Sequence, residues 1–296
     1  MNRFFLIPIL LSVAWSPTGH MVVGEVAKER LTNNARARCN ELIALKVPPQ
    51  KIKLGKSWVD MALRTGDFPT ACCWADDVKS AADGPAHYFD IAFSADGTVP
   101  QVTSNRVNII NALTNAVAVL QLPKATKQAK AIQLRYLLHF VGDIHQPLHC
   151  ATRVTDEHPG GDRGGNEFAV TGAANLHSYW DGGVGLLKTT IARPLTNDGI
   201  AKLAAIKAQC VAADVSPRMT GGGTNEVRGL TSAATMALFA TWSQESHELA
   251  KSAAYADLEP HDTPSAAYVA NAQRVVRERV ALAGYRLAAL LNEIFK

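Results

Sequence analysis

No apolar run in this 296-residue chain approaches the roughly 20 residues of a membrane-spanning helix, so stable membrane association is not expected. Paired C-x-x-C spacing is absent: Cys39, Cys72, Cys73, Cys150 and Cys210 are an odd set that does not read as a zinc ribbon. No N-x-S/T sequon occurs, in agreement with a bacterial source. Strong charge of either sign is missing too. The formal charge of +4 is too mild to announce nucleic acid by itself, so an anionic substrate has to be held locally, for instance by metal ions. Neither an internal repeat nor a composition break marks a linker, and 47% hydrophobic residues suffice for a sizeable core.

Residues 1–14, MNRFFLIPILLSVA, carry one basic residue, an apolar stretch from Phe4 to Leu11, and small residues at Ser12 and Ala14. This is the pattern of a secretory signal peptide. The expectation is cleavage after Ala14, a mature domain over 15–296 that starts at Trp15, and a secreted or periplasmic location. Outside the cytoplasm one or two disulfides are expected, with at least one thiol left over.

Helical spacing of apolar residues predicts a first helix from about His20 to Leu45, ended by Val47-Pro48-Pro49. Residues 57–80 read as helical at both ends with an interruption near Gly66 to Pro69. An extended piece is expected over 87–93, helices over 103–120, 127–146 and 198–213, a flexible turn at Gly221 to Gly223, and two long helices over 230–254 and 266–294. A short β-hairpin is expected over 166–172, and an exposed loop over 155–165. The sum is an all-α fold class: one mainly helical domain with a short hairpin.

The stretch around which the rest is organised is YLLHFVGDIHQPLHC at 136–150. His139 and Asp143 lie four residues apart on one helix face, where an imidazole and a carboxylate reach the same point. Pro147 breaks the helix and presents His149 from the loop after it. Taken alone, a His-Asp hydrogen bond in a core explains this stretch nearly as well as a metal does. Further donors tip the balance: Asp76 in WADDVK with His87 soon after, a second i, i+4 pair at His177 and Asp181, and His20 just behind the expected new terminus. Zinc draws on such nitrogen and oxygen donors.

WSPTGH at 15–20, WADDVK at 74–79, HYFD at 87–90, HFVGDIHQPLH at 139–149, GGN at 164–166 and HSYWD at 177–181 resemble, in order, the motifs of the zinc-dependent single-strand-specific nucleases and 3′-nucleotidases of the mung bean nuclease type. That family belongs with the zinc phospholipases C in one superfamily. The resemblance extends over the whole mature chain, to AGYRLAALLN at 283–292. It implies three zinc ions in a cleft: one held by Asp76, His87, His139 and Asp143, a second by the freed amine and carbonyl of Trp15 with His20 and Asp143, a third by His149, His177 and Asp181. It also implies that Tyr88 stacks on a base, Asp90 bonds its edge and Asn166 lines the cleft.

With Asp143 bridging two zinc ions, a shared water loses a proton near neutral pH and attacks phosphorus in line. The third zinc neutralises the departing 3′-oxygen, leaving 5′-phosphorylated products. The implied substrates are single-stranded DNA and RNA and 3′-nucleotides, turned over by a monomer. Lys79 either steadies the phosphate or a ligand carboxylate, or is a solvated surface lysine. Asp60 is a rival to Asp76 that the WADDVK context disfavours. His145 reads as core or as support for the ligands, and His158, His247 and His261 as surface or structural. The alternatives are a zinc phospholipase C, and a non-catalytic secreted helical metal-binding protein. Ser16 after the terminal Trp, the short Asp76 to His87 interval, the Cys72-Cys73 pair and the 155–163 loop depart from the family pattern.

Overall fold

Thr126 accepts a hydrogen bond from the Ala129 N–H and starts the helix at the centre of the molecule, Lys127–Asp143 (α7). A computed structural model describes residues 15–103, 107–211, 227 and 229–296 of the chain. Around α7 lie Pro17–Glu29 (α1), Asn33–Ile43 (α2), Met61–Arg64 (α3), Phe68–Ala71 (α4), Trp74–Val78 (α5), Ile109–Gln121 (α6), Leu176–Asp181 (α8), Asn197–Val211 (α9), Ser232–Leu249 (α10) and Ala266–Ile294 (α11). Each side of α7 meets a different partner, α6 on one and α1, α2 and α11 on others, so every residue from Leu134 to Asp143 except Tyr136 is buried. One apolar cluster runs through all these helices, and among the described residues no helix is long and apolar enough to cross a membrane. The expected helical class holds.

Local chemistry corrects several boundaries. The first predicted helix is two, because Thr32 accepts from the Ala35 N–H and restarts the chain as α2. Residues 57–60 are not helical: Ser57–Asp60 (β2) pairs antiparallel with Lys51–Leu54 (β1) across a turn in which Gly55 takes φ +59°. The hairpin expected over 166–172 does not form. The Asp162 carboxylate instead gathers the N–H groups of Arg153 and Gly165, and residues 163–167 coil into turns; Gly161, Asp162, Gly164 and Gly165 are buried where an exposed loop was expected. Only Ala92–Ser94 (β3) of the 87–93 segment is strand, parallel to Thr152–Val154 (β4). The Gly221 to Gly223 turn and the 1–14 leader lie outside the described residues.

The expected disulfide is a second correction. All five cysteines are free and buried. Three of the thiols are engaged with the backbone instead: Cys72 Sγ donates to Phe68 O, Cys73 Sγ to Pro17 O, and Cys150 Sγ to Ile144 O. Burial pushes the Cys39, Cys73 and Cys150 thiols up to about 12, so they stay protonated.

Candidate metal centre

The C-terminal half of α7 carries His139 and Asp143 on the face turned toward α1 and α5, both without exposed surface. Asp143 divides its two oxygens. Oδ1 lies 3.3 Å from His20 Nε2, while Oδ2 lies 3.2 Å from His139 Nε2 and 2.9 Å from His87 Nδ1. Asp76 Oδ1, from α5, comes within 3.5 Å of His139 Nε2 and 3.7 Å of His87 Nδ1. Five sequence-selected side chains thus converge as two overlapping sets of three donors, each within 4.8 Å.

A second group stands beyond the helix break. Pro147 begins a 3₁₀ turn, Pro147–Cys150, that presents His149; α8, started by a reciprocal Asn175/Ser178 capping box, presents His177 and Asp181. His177 Nε2 is 3.5 Å from Asp181 Oδ2, and His149 Nε2 is 3.7 Å from Asp181 Oδ1.

A buried imidazole normally satisfies both nitrogens. Here His139 Nδ1 bonds to Cys72 O at 2.7 Å, His149 Nδ1 to His87 O at 2.8 Å and His177 Nδ1 to Gly164 O at 2.7 Å, so each ring is oriented from behind. Their Nε2 atoms, with His20 Nε2, Asp76 Oδ1 and Asp143 Oδ1, are buried without a hydrogen-bond partner. Donor atoms buried and unsatisfied, with the His139, His149 and His177 rings each braced through the other nitrogen, fit divalent cations better than a hydrogen-bonded core. Burial lowers the pKa values of His149, His177 and His20, the last to about 4, which leaves them neutral and able to ligate. At His139 burial is outweighed by the Asp143 and Asp76 carboxylates, which push it up to about 10. A proton there occupies the place a cation would neutralise.

The sequence did not single out several supports. Gln146 Nε2 donates to Asp181 Oδ1 at 2.8 Å, tying the helix break to α8. His20 stacks on His139 with ring centroids 3.8 Å apart, and Gly142 makes room for it, since a Cβ there would lie 2.9 Å from His20 Nδ1. Gly164, at φ +64°, brings its carbonyl to His177 in a space where a Cβ would meet Leu148 O at 2.4 Å. The adjacency of Gln146 to Pro147, and the glycines inside and beside the motifs, were the available signals.

Trp15 is fully buried; its indole N–H donates to Gly142 O at 3.0 Å, and the Ser16 N–H to Asp181 O at 2.8 Å, between the two donor groups. The Lys79 side chain is only 7% exposed and lies 4.0 Å from Asp76, so the solvated-surface reading does not hold. Tyr88, Asp90 and Asn166 line one small cleft with Arg163, Leu148 and His177. Burial, aided by the Asp162 charge, lifts the Asp90 carboxyl to about 6. Asp60 is no ligand; its carboxylate caps α3 by accepting from the Ala62 N–H. His145 is buried against Arg286 and Val141 O, while His158 pairs at the surface with Glu167. A cavity of about 520 Å³ borders the second group on its other side, lined by His177, Asp181, Arg64, Lys188 and Arg193.

Residues 15–296 match the family described as S1/P1 Nuclease. The chain is 25% identical to Endonuclease 2 of Arabidopsis thaliana, over 95% of this chain and 90% of that one, and 27% identical to Endonuclease 4 of the same plant, over 96% and 90%. It is 26% identical to Nuclease S1 of Aspergillus oryzae over 58% of this chain and 54% of that one. Donor groups on α1, α5, α7 and α8, and a match that spans all of them, lead to one assignment: the chain belongs to the S1/P1 nuclease family and is a hydrolase of nucleic-acid ester bonds.

Proposed function

We propose that the protein is a secreted or periplasmic zinc enzyme that cuts single-stranded DNA and RNA to 5′-phosphorylated products and removes the phosphate of 3′-nucleotides. The observation that carries this reading is the set of buried, unpartnered donor atoms on His20, Asp76, His87, His139, Asp143, His149 and His177, with the Asp181 carboxylate grouped beside the last two. Imidazoles and carboxylates together suit zinc; His20, His139 and Asp143, with Asp76 and His87, would hold two ions, and His149, His177 and Asp181 a third. Zinc bound there supplies Lewis acidity, bringing the pKa of water toward 7 and offsetting charge on the phosphate and its leaving oxygen.

The residues do the rest. Asp143, its two oxygens turned to different imidazoles, fixes the spacing of the paired donors. Lys79, held beside Asp76, adds a positive charge at the cleft wall for the phosphate. Tyr88 offers a ring to an unpaired base, Asp90 accepts from the base edge, and Asn166 closes the cleft next to His177. Stacking of this kind needs a base that is out of a duplex. Trp15 enters as the mature terminus: its burial between Gly142 and Asp181 supports a free amine and carbonyl joining His20 and Asp143, which signal removal after Ala14 would create. One chain supplies every donor, which supports a monomer as the active unit.

The test uses protein beginning at Trp15 and the same protein with one added residue before it. Three zinc ions per chain are expected in the first, with turnover of single-stranded DNA, RNA and a 3′-mononucleotide but not of duplex DNA. The extended form should lose one ion and most activity. Turnover of phosphatidylcholine without nucleotide release would instead make it a phospholipase C, and fewer than three ions without chelator-sensitive activity would support the non-catalytic reading.

A further inference from the structure

This fold buries tryptophan everywhere but once. Trp15, Trp74, Trp180 and Trp242 are 0–2% exposed, whereas Trp58 on β2 is 68% exposed. Burying such a ring is worth several times what a surface position returns, so an uncovered indole is the informative exception. Its surroundings are charged in one sense. Between Glu41 and Asp60 the chain has no acidic residue but four lysines, Lys46, Lys51, Lys53 and Lys56.

The hairpin register places Lys53 opposite Trp58 and Lys51 opposite Asp60, and side chains two apart share a face. Lys51, Lys53 and Trp58 therefore stand together, with Lys56 in the turn beside Gly55. Asp60 is committed to the α3 cap. None of Lys51, Lys53 and Lys56 makes an ion pair among the described residues, and all three are exposed. Four residues past Asp60, Arg64 reaches the wall of the 520 Å³ cavity next to His177 and Asp181; there it shares Asp77 with Arg193, two guanidinium groups on one carboxylate. The helix that follows the hairpin thus carries one of the cations that line this cavity.

A ligand matched to a bare indole among unpaired lysines must offer flat π faces and regularly spaced negative charge. A single-stranded nucleic acid offers both, and a duplex hides its bases. We propose that the β1–β2 face is a secondary binding surface for single-stranded nucleic acid, engaging substrate outside the cleft and favouring long strands over short ones. It rests on the nuclease reading for the identity of the strand and on none of the metal ligands.

The test compares kinetics of the zinc-loaded enzyme on a dinucleotide and on a single-stranded 20-mer. Trp58→Ala should raise KM for the 20-mer roughly 5- to 10-fold with kcat unchanged, the lower end of what one stacked base contributes, and leave the dinucleotide unaffected. Trp58→Tyr should restore most of the loss. Replacing Lys51, Lys53 and Lys56 with Ala should flatten the slope of log KM against log salt by about 2, at about 0.7 per phosphate contact. An unchanged KM on the 20-mer, or equal losses on both substrates, would overturn the proposal. So would Trp58-dependent cosedimentation with phosphatidylserine vesicles and unaltered 20-mer kinetics, the signature of a membrane-facing hairpin. If wild-type enzyme cleaves neither substrate, it is the nuclease reading that falls.

Discussion

The two donor groups are built from the same residue types and solve different electrostatic problems. Around Asp143, two carboxylates and three imidazoles are packed so tightly that His139 holds a proton up to about pH 10 without a cation. Around Asp181, one carboxylate faces two neutral imidazoles, and burial lifts its pKa to about 8. The first group carries charge into the core and balances it internally; the second suppresses charge until a cation arrives. A cation bound at either group would therefore replace a proton, at different positions: an imidazolium in one, a carboxylic acid in the other.

Substitutions at each group test that independence. Asp143→Ala should have the largest effect, lowering kcat/KM on the order of 10⁴-fold, about 5.5 kcal/mol of barrier, and releasing the paired ions while the ion at Asp181 stays. Metal analysis of the purified variant checks it, and loss of all ions together would merge the two groups into one. Asp181→Ala should cost about 10²- to 10³-fold in kcat, the scale of removing one stabiliser of a developing oxyanion, and release a single ion. Gln146→Ala, which frees Asp181 Oδ1 without touching a ligand, should weaken metal affinity of the second group alone by about 10- to 100-fold, read by chelator competition. Equal weakening at both groups would show that the helix break couples them.

The smallest effect concerns the cleft beside the second group. Because burial raises the Asp90 carboxyl to about 6, it is protonated below that pH and ionised above it. Only the ionised form accepts two hydrogen bonds from a base edge, so KM for a single strand should fall a few-fold between pH 5 and pH 7. Asp90→Asn should flatten that fall without altering ion content. A retained pH dependence in this variant would move its origin to another group.

The donor set was legible because each ligand sits in a short motif whose local geometry is decided within five residues: an i, i+4 pair on α7, another on α8, a histidine just after a helix-breaking proline. Long helices were legible for the same reason, as apolar period carries over many turns in α11. What failed depended on distant partners. The 166–172 segment has strand composition, yet Asp162 and Tyr255 hold the neighbouring loop coiled, through a hydroxyl 93 residues away. The hairpin at 51–60 was hidden because its strands have four residues each and bury no side chain fully, so no apolar alternation marks them. Free thiols replaced the expected disulfide because no spacing rule tells which cysteines the core will separate.

Gln146, Pro147 and their neighbours join the two donor groups through a handful of peptide bonds, from Asp143 to His149. Covalent geometry, more than helix packing, thus acts as the ruler for the distance between the two donor groups. Heat or denaturant that loosens helices such as α9 should reach this ruler last, so the spacing of the donor groups should outlive much of the surrounding architecture.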